Sequence, residues 1–318
     1  MKRKTVFNLL RIVISLGLIG LIAKNIDLEQ LKQVLAKAKL IWLMGTVGLV
    51  FLGIAIRAKR WQILLDVFQV QVSLKELFLI YLIGFGFNNL LPSGVGGDAV
   101  RMMELNRYTN RASDAVTSVI IERFLGLYGT VLLGFIALLL SWRTVQWQTA
   151  LALALVFLGL SVVGVVLIYE PLYRWLRRFS LVRKLTDIKF VQSLFESFQQ
   201  YHPQALTRAF GVGLVFNGVL IGINVTIGLA LGIQISLLYY LLFIPLVAVT
   251  LALPISFAGF GPREQMYILL FAQAGVLKET ALALSVLVYL LGNLTPGLVG
   301  GIVYLWRGAN RLRLPDSE

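Results

Sequence analysis

The 318-residue chain contains no cysteine and a single histidine, His202. Without cysteine there is no disulfide, no thiolate metal site and no thiol nucleophile. One imidazole, next to Pro203 in a polar connection, cannot build a histidine metal centre either, and it reads as a solvated loop residue. Charge is also scarce, at 14% of residues where soluble domains carry about a quarter. No G-x-x-x-x-G-K-[ST] phosphate loop is present, so a nucleotide-driven cycle is not expected. No cofactor is expected.

What remains is apolar. Hydrophobic residues make up 58% of the chain, and the mean hydropathy is +0.84. Residues 130–140 and 149–169 are nearly free of charge, and the second run alone reaches the ~20 residues of a spanning helix. Such runs recur along the sequence and leave no stretch large enough for a soluble domain. The composition therefore predicts an all-α, polytopic integral membrane protein, with 1–318 forming one transmembrane domain.

The net charge of +14 would suggest a nucleic-acid partner in a soluble protein. Here the basic residues gather between apolar runs, as membrane proteins place them to set their orientation, so no nucleic acid is expected. The N-terminal Lys2-Arg3-Lys4 and the apolar run to Ala23 have the charge order of a signal peptide. No small-x-small cleavage site follows, and the run reads as an uncleaved first span.

Six segments read as full crossings, about 5–23, 40–56, 115–140, 149–169, 209–231 and 280–305. Arg11, inside the first, lies near enough to its end to snorkel. Two further runs, Leu77–Leu91 and Tyr239–Leu253, are 15 residues each and end at a proline followed by glycines. The connection 170–208 carries seven basic residues against three acids and is expected in the cytoplasm. If both short runs dip in and return, the other strongly basic segments fall on that side, and both termini lie in the cytoplasm. Residues 24–39 fall outside, with Leu28, Leu31, Val34 and Leu35 spaced as on a short amphipathic surface helix.

The two short runs match each other. Asn88-Asn89-Leu90-Leu91-Pro92 leads through Gly94, Gly96, Gly97 and Asp98 to Arg101. Pro254 leads through Gly259 and Gly261 to Arg263 and Glu264. In each, the arginine stands nine positions after the proline. Two such elements predict re-entrant helical hairpins in an inverted repeat, with halves at about 40–140 and 209–306 joined by the basic connection. Backbone groups left open at depth must line a protein-enclosed cavity, and helix N-termini there would favour phosphate. Ordinary extramembrane loops are the alternative.

Glu122 and Arg123 lie within the 115–140 span, where charges are costly and usually face a cavity. Neighbours on a helix point ~100° apart. Each therefore needs another partner: Glu122 could meet Arg101 or Arg263, and Arg123 could meet Asp98 or Glu264. Asn88, Asn89, Pro92, Gly96, Gly97, Asp98, Arg101, Glu122, Arg123, Pro254, Gly259, Gly261, Arg263 and Glu264 form the candidate substrate-binding set. Asn217, Asn224, Gln265 and Asn293 read as interhelical hydrogen-bonding residues. Pro296 is expected to kink the last span. Trp42, Trp61, Trp142, Trp147 and Trp306 are placed as interfacial anchors.

Asn88–Arg101, Glu122-Arg123 and Pro254–Glu264 resemble the flippase-like membrane region of lysylphosphatidylglycerol synthases, through the patterns N-N-x-x-P-x-x-x-G-G-D-x-x-R and P-x-x-x-x-G-x-G-x-x-E. The resemblance covers nearly the whole chain. It implies translocation of an aminoacylated or other anionic lipid across the cytoplasmic membrane. No soluble transferase domain is expected within these residues, so aminoacyl transfer from tRNA is not. The function expected is lipid translocation, downhill or ion-coupled, with Asp98 or Glu122 as proton carrier. The alternatives are an enzyme acting on lipid headgroups through Asp98, Glu122 and Glu264, or a non-catalytic partner of a separate lipid synthase or glycosyltransferase.

Overall fold

The computed structural model describes residues 2–90, 96–108, 112–143, 145–178, 195, 198–253 and 259–311. Among these there is no strand. The helices are α1 (Lys2–Asn25), α2 (Leu28–Ala36), α3 (Leu40–Asp66), α4 (Leu74–Leu90), α5 (Gly96–Leu105), α6 (Ala112–Leu140), α7 (Trp147–Ile168) and α8 (Glu170–Leu176). They continue with α9 (Pro203–Ala230), α10 (Leu237–Ala252), α11 (Pro262–Ala272), α12 (Lys278–Tyr289) and α13 (Thr295–Arg311). A five-residue π turn, Leu290–Leu294, joins α12 to α13.

Five stretches are long and apolar enough to cross a membrane: Leu40–Asp66, Ser113–Leu140, Trp147–Ile168, Pro203–Ala230 and Lys278–Arg307. α1 is a further continuous helix of 24 residues, about 36 Å long. The faces of α7 carry Leu151, Leu155, Leu158, Val162 and Val165 exposed, as expected where lipid replaces water. Trp42, Trp142, Trp147 and Trp306 are exposed near helix ends, in keeping with an interfacial belt.

Two corrections follow at α3. The sequence ends this span at 56, yet the helix runs on to Asp66, through Arg57, Lys59 and Arg60. Three cations within four residues read as a polar connection, but only Lys59 faces outward, bonding Gln62 at 2.9 Å. Arg60 is 2% exposed, because a carboxylate waits for it on α6. Trp61 is not an interfacial anchor. It is fully buried, with its indole N–H donated to Ser118 Oγ at 3.0 Å.

The two short apolar runs form helix–break–helix pairs, α4 with α5 and α10 with α11. α4 and α10 have 17 and 16 residues, against the ~20 typical of a spanning helix. Pro92 and Pro254, with the residues 91–95 and 254–258 around them, lie outside the described residues. The second break ends at Gly259 (φ +81°) and Gly261 (φ +91°), in left-handed backbone that a side chain would strain, and Pro262 then opens α11.

α4 is held between α5 and α13. Its contact with α13 is a backbone approach: a Cβ on Gly86 would lie 3.0 Å from the Gly297 carbonyl oxygen, and one on Gly300 would overlap the Leu82 carbonyl. Small residues let membrane helices pack this closely. At the start of α13, Pro296 has no N–H and its ring would clash with the carbonyl four residues back. The chain resolves this with the π turn, in which Thr295 N–H bonds the Leu290 carbonyl. The expected kink is thus a helix widening, a device often found at functional sites.

Polar side chains tie the bundle together. Thr130 donates to Asn217 Oδ1 at 3.0 Å, Tyr267 donates to Asn224 Oδ1 at 2.5 Å, and Thr46 and Thr226 share a hydrogen bond at 2.8 Å. α2 buries none of its side chains, as a surface helix should. His202 caps α9, where its ring nitrogen accepts from Gln204 N–H.

Candidate functional site

Glu122, Asp98 and four arginines form one connected set of ion pairs. Glu122, on α6, is fully buried and takes three guanidiniums. Arg60 pairs with its Oε1, Arg57 Nε lies 3.8 Å from the same oxygen, and Arg101 reaches Oε2 at 3.3 Å. Gly126 on α6 and Gly213 on α9 leave room for Arg60, since a Cβ at either would stand 3.0 Å from its Nη1.

Arg101, from the first turns of α5, is held by an acid and two rings. It bonds Asp98 at 3.1 Å and lies over the rings of Tyr81 (3.7 Å) and Trp61 (4.4 Å). Stacking of this kind favours a desolvated guanidinium. Asp98 also pairs with Arg123. So the partners chosen among the sequence alternatives are Arg101 for Glu122 and Asp98 for Arg123.

At the second break Arg263 pairs with its neighbour Glu264 and lies over Tyr289 (4.6 Å) and Phe260 (5.2 Å). Its Nε is 3.3 Å from Ser285 Oγ.

Between these groups lies a cavity of about 240 Å3. α4 and α5 contribute Tyr81, Gly84, Phe85, Asn88, Asn89, Asp98 and Arg101; Leu251, Gly259 and Arg263 come from α10, α11 and the residues before α11. Arg57, Arg123, Tyr289 and Asn293 complete the lining. Among the described residues, four arginines therefore face it with a single carboxylate, Asp98. A second, mostly apolar cavity of about 150 Å3 shares Arg57, Phe85 and Asn293 with the first and continues between α3 and α9 past Ile54, Phe216 and Leu220.

Seven candidates from the sequence line this polar cavity: Asn88, Asn89, Asp98, Arg101, Arg123, Gly259 and Arg263. Gly96, Gly97, Glu122, Gly261 and Glu264 are buried behind the wall. The helix N-termini were expected to offer free N–H groups, yet Gly97 N–H donates to Asn88 Oδ1 and Gly261 N–H to Glu264 Oε2, both at 2.7 Å. The cavity is lined by guanidiniums rather than by these two amides. Asp98 and Glu122, expected as proton carriers, are each paired with guanidiniums.

Arg57, Tyr81, Tyr289 and Asn293 were missed as site residues. Asn293 was assigned to helix–helix contact; its carbonyl does accept from Asn89 Nδ2 at 3.1 Å, while Tyr289 donates to Asn89 Oδ1 at 3.1 Å. For Arg57 a signal existed: Val50, Ile54, Ala58, Trp61 and Leu65 keep a helical spacing straight through the charged stretch, and all are buried.

Helices of spanning length around a buried cationic cavity define a multi-pass membrane protein. The chain belongs to the lysylphosphatidylglycerol synthase transmembrane-region family, whose model matches residues 8–300. It is also similar to a UPF0104 membrane protein of Methanothermobacter thermautotrophicus, at 28% identity over 150 residues. That match covers 45% of this chain and 44% of the relative, so the chain spans less than half the length of the relative it matches.

Proposed function

We propose that this protein is a translocase that moves an anionic or lipid-linked molecule between the leaflets of the cytoplasmic membrane. The observation that carries the reading is the cavity of about 240 Å3 to which both helix–break–helix pairs bring an arginine, Arg101 from one and Arg263 from the other. Buried cations are costly unless an opposite charge joins them. A lipid phosphate supplies that charge, and its position between two matched breaks is where alternating access would place a passenger.

In this arrangement α1 is the sixth crossing, both termini are cytoplasmic, and the α4–α5 and α10–α11 pairs enter from opposite faces as re-entrant hairpins. The basic residues of 170–208 support that orientation. Transport is then downhill or coupled to an ion gradient. A separate synthase or glycosyltransferase would make or use the cargo.

Vesicles reconstituted with the protein and a fluorescent anionic lipid test this. A membrane-impermeant quencher bleaches only the outer half in protein-free vesicles, and should bleach nearly all the lipid when the protein is present. Arg263→Ala should slow this exchange by about tenfold or more, the equivalent of a lost charge-assisted hydrogen bond of ~1.5–3 kcal/mol. Bleaching that stops at half with the wild-type protein contradicts translocation.

A further inference from the structure

We infer that one hydrocarbon chain of the passenger is taken inside the bundle, into the apolar chamber between α3, α9 and α12, while its anionic headgroup stays in the polar cavity. This rests on the translocase reading and deepens it. It makes the passenger a lipid, and it differs from a route in which only the headgroup crosses the protein and every chain stays in the bilayer.

Polarity divides the two spaces. Val50, Ile54, Phe216, Leu220, Ile223 and Val288 wall the chamber, with Gly292. Its only polar members among the described residues are Arg57 and Asn293, and both also line the polar cavity. The boundary therefore lies at Arg57. Its guanidinium rests over Tyr81 of the polar lining at 4.9 Å and over Phe216 of the apolar lining at 5.2 Å. An anion beside Arg57 has a hydrocarbon wall directly behind it, which is the order of charge and chain in a lipid.

The chamber measures about 150 Å3, and its wall is interior: Val50, Ile54 and Ile223 are 4%, 2% and 7% exposed. Close-packed interiors contain few voids larger than a water molecule, and an apolar one offers water no partners. An apolar cavity of ~150 Å3 takes up benzene, so the chamber has room for about six carbons of one chain and none for a second. Carbons beyond those reach the bilayer between α9 and α12. That seam is packed far more lightly than the one between α9 and α3, and Leu220 and Val288 are half-buried beside it.

Gly292, in the π turn, governs how much of this space is open. A Cβ there meets nothing within 4 Å, so a larger side chain grows into the volume that the lipid chain would fill. Gly218, on the exposed side of α9 and in neither lining, is equally unobstructed and serves as the control.

Photolabelling of the full-length protein in nanodiscs tests the inference. The probes are phosphatidic acid and phosphatidylcholine, each with a diazirine in the part of one acyl chain nearest the headgroup, and labelled residues are mapped by mass spectrometry. Phosphatidic acid should label Ile54, Phe216, Leu220 or Val288. Gly292→Leu should lower that labelling at least about tenfold, the scale of an apolar pocket that loses its fit, while Gly218→Leu leaves it unchanged. If the Gly292 variant does not fold, the comparison of the two probes on the wild type decides alone. Label confined to lipid-facing residues such as Leu155 and Leu158 of α7 overturns the inference, because the chain then stays in the bilayer. Equal labelling of the chamber by phosphatidylcholine overturns it too, by making the chamber a void that any lipid fills. The translocase reading fails separately, if the chamber is labelled as described and no lipid exchanges between leaflets.

Discussion

Replacing Glu122 by glutamine should cost roughly 3–5 kcal/mol of stability, because it leaves Arg57, Arg60 and Arg101 buried around a neutral amide. The thermal midpoint in detergent should fall on the order of 10 °C. The effect comes from cations that cannot reach water: Arg60 is 2% exposed and Arg101 3%. Removing a cation along with the acid should therefore restore part of the loss. Glu122→Gln with Arg60→Met should be more stable than Glu122→Gln alone, since an apolar side chain of similar reach replaces an uncompensated charge. Thermal unfolding of the two single variants and the double variant measures this coupling. A Glu122→Gln protein as stable as the wild type would mean that the three arginines do not depend on that carboxylate.

The second large effect belongs to the contact between α4 and α13. A leucine at Gly300 has no place, because even its Cβ would overlap the Leu82 carbonyl, and a backbone carbonyl cannot turn aside as a flexible side chain can. The helices would have to part, and overpacking of this kind costs typically 1–3 kcal/mol and sometimes more. Separation would also pull Phe85, Asn88 and Asn89 away from Tyr289 and Asn293, so the cavity should lose its binding along with the helix contact. The adjacent residue is the control. A Cβ on Gly301 meets nothing within 4 Å, and Gly301→Leu should be near neutral or slightly stabilising, because glycine is a poor helix former. Equal stability of the two variants would show that this pair of helices is not packed as described.

These two sites also mark where the sequence was readable and where it was not. Hydropathy located most of the spanning helices, and the matched Pro-to-Arg spacing located both breaks, because each signal is local and repeats. The Glu122–Arg101 and Arg123–Asp98 pairs were among the partners offered, since two adjacent intramembrane charges cannot neutralise each other well. Arg57 and Arg60 were read as part of a polar connection, although the apolar spacing around them runs on to Leu65. Whether a cation ends a span or enters the bundle depends on a carboxylate 62 positions away in sequence, and no local pattern states that pairing. Trp61 was misjudged for the same reason: at a helix end it would be an anchor, but α3 does not end there. Asn293 lies within the π turn and Tyr289 directly before it, at a change of helical register that Pro296 hints at without fixing which carbonyl is freed.

The absence of cysteine allows the central claim, that lipid passes through the cavity between the two breaks, to be tested in one preparation. Leu251→Cys places a single thiol in the lining at a position that is 42% exposed. Lipid exchange in reconstituted vesicles is then followed before and after attachment of a bulky methanethiosulfonate, and again after its removal with reductant. Exchange should fall to the protein-free rate when the group is attached and return when it is released, while the same label on Leu52→Cys, half-exposed on α3 outside the cavity lining, should change nothing. Exchange that continues undiminished with the labelled thiol in place would contradict passage through this cavity.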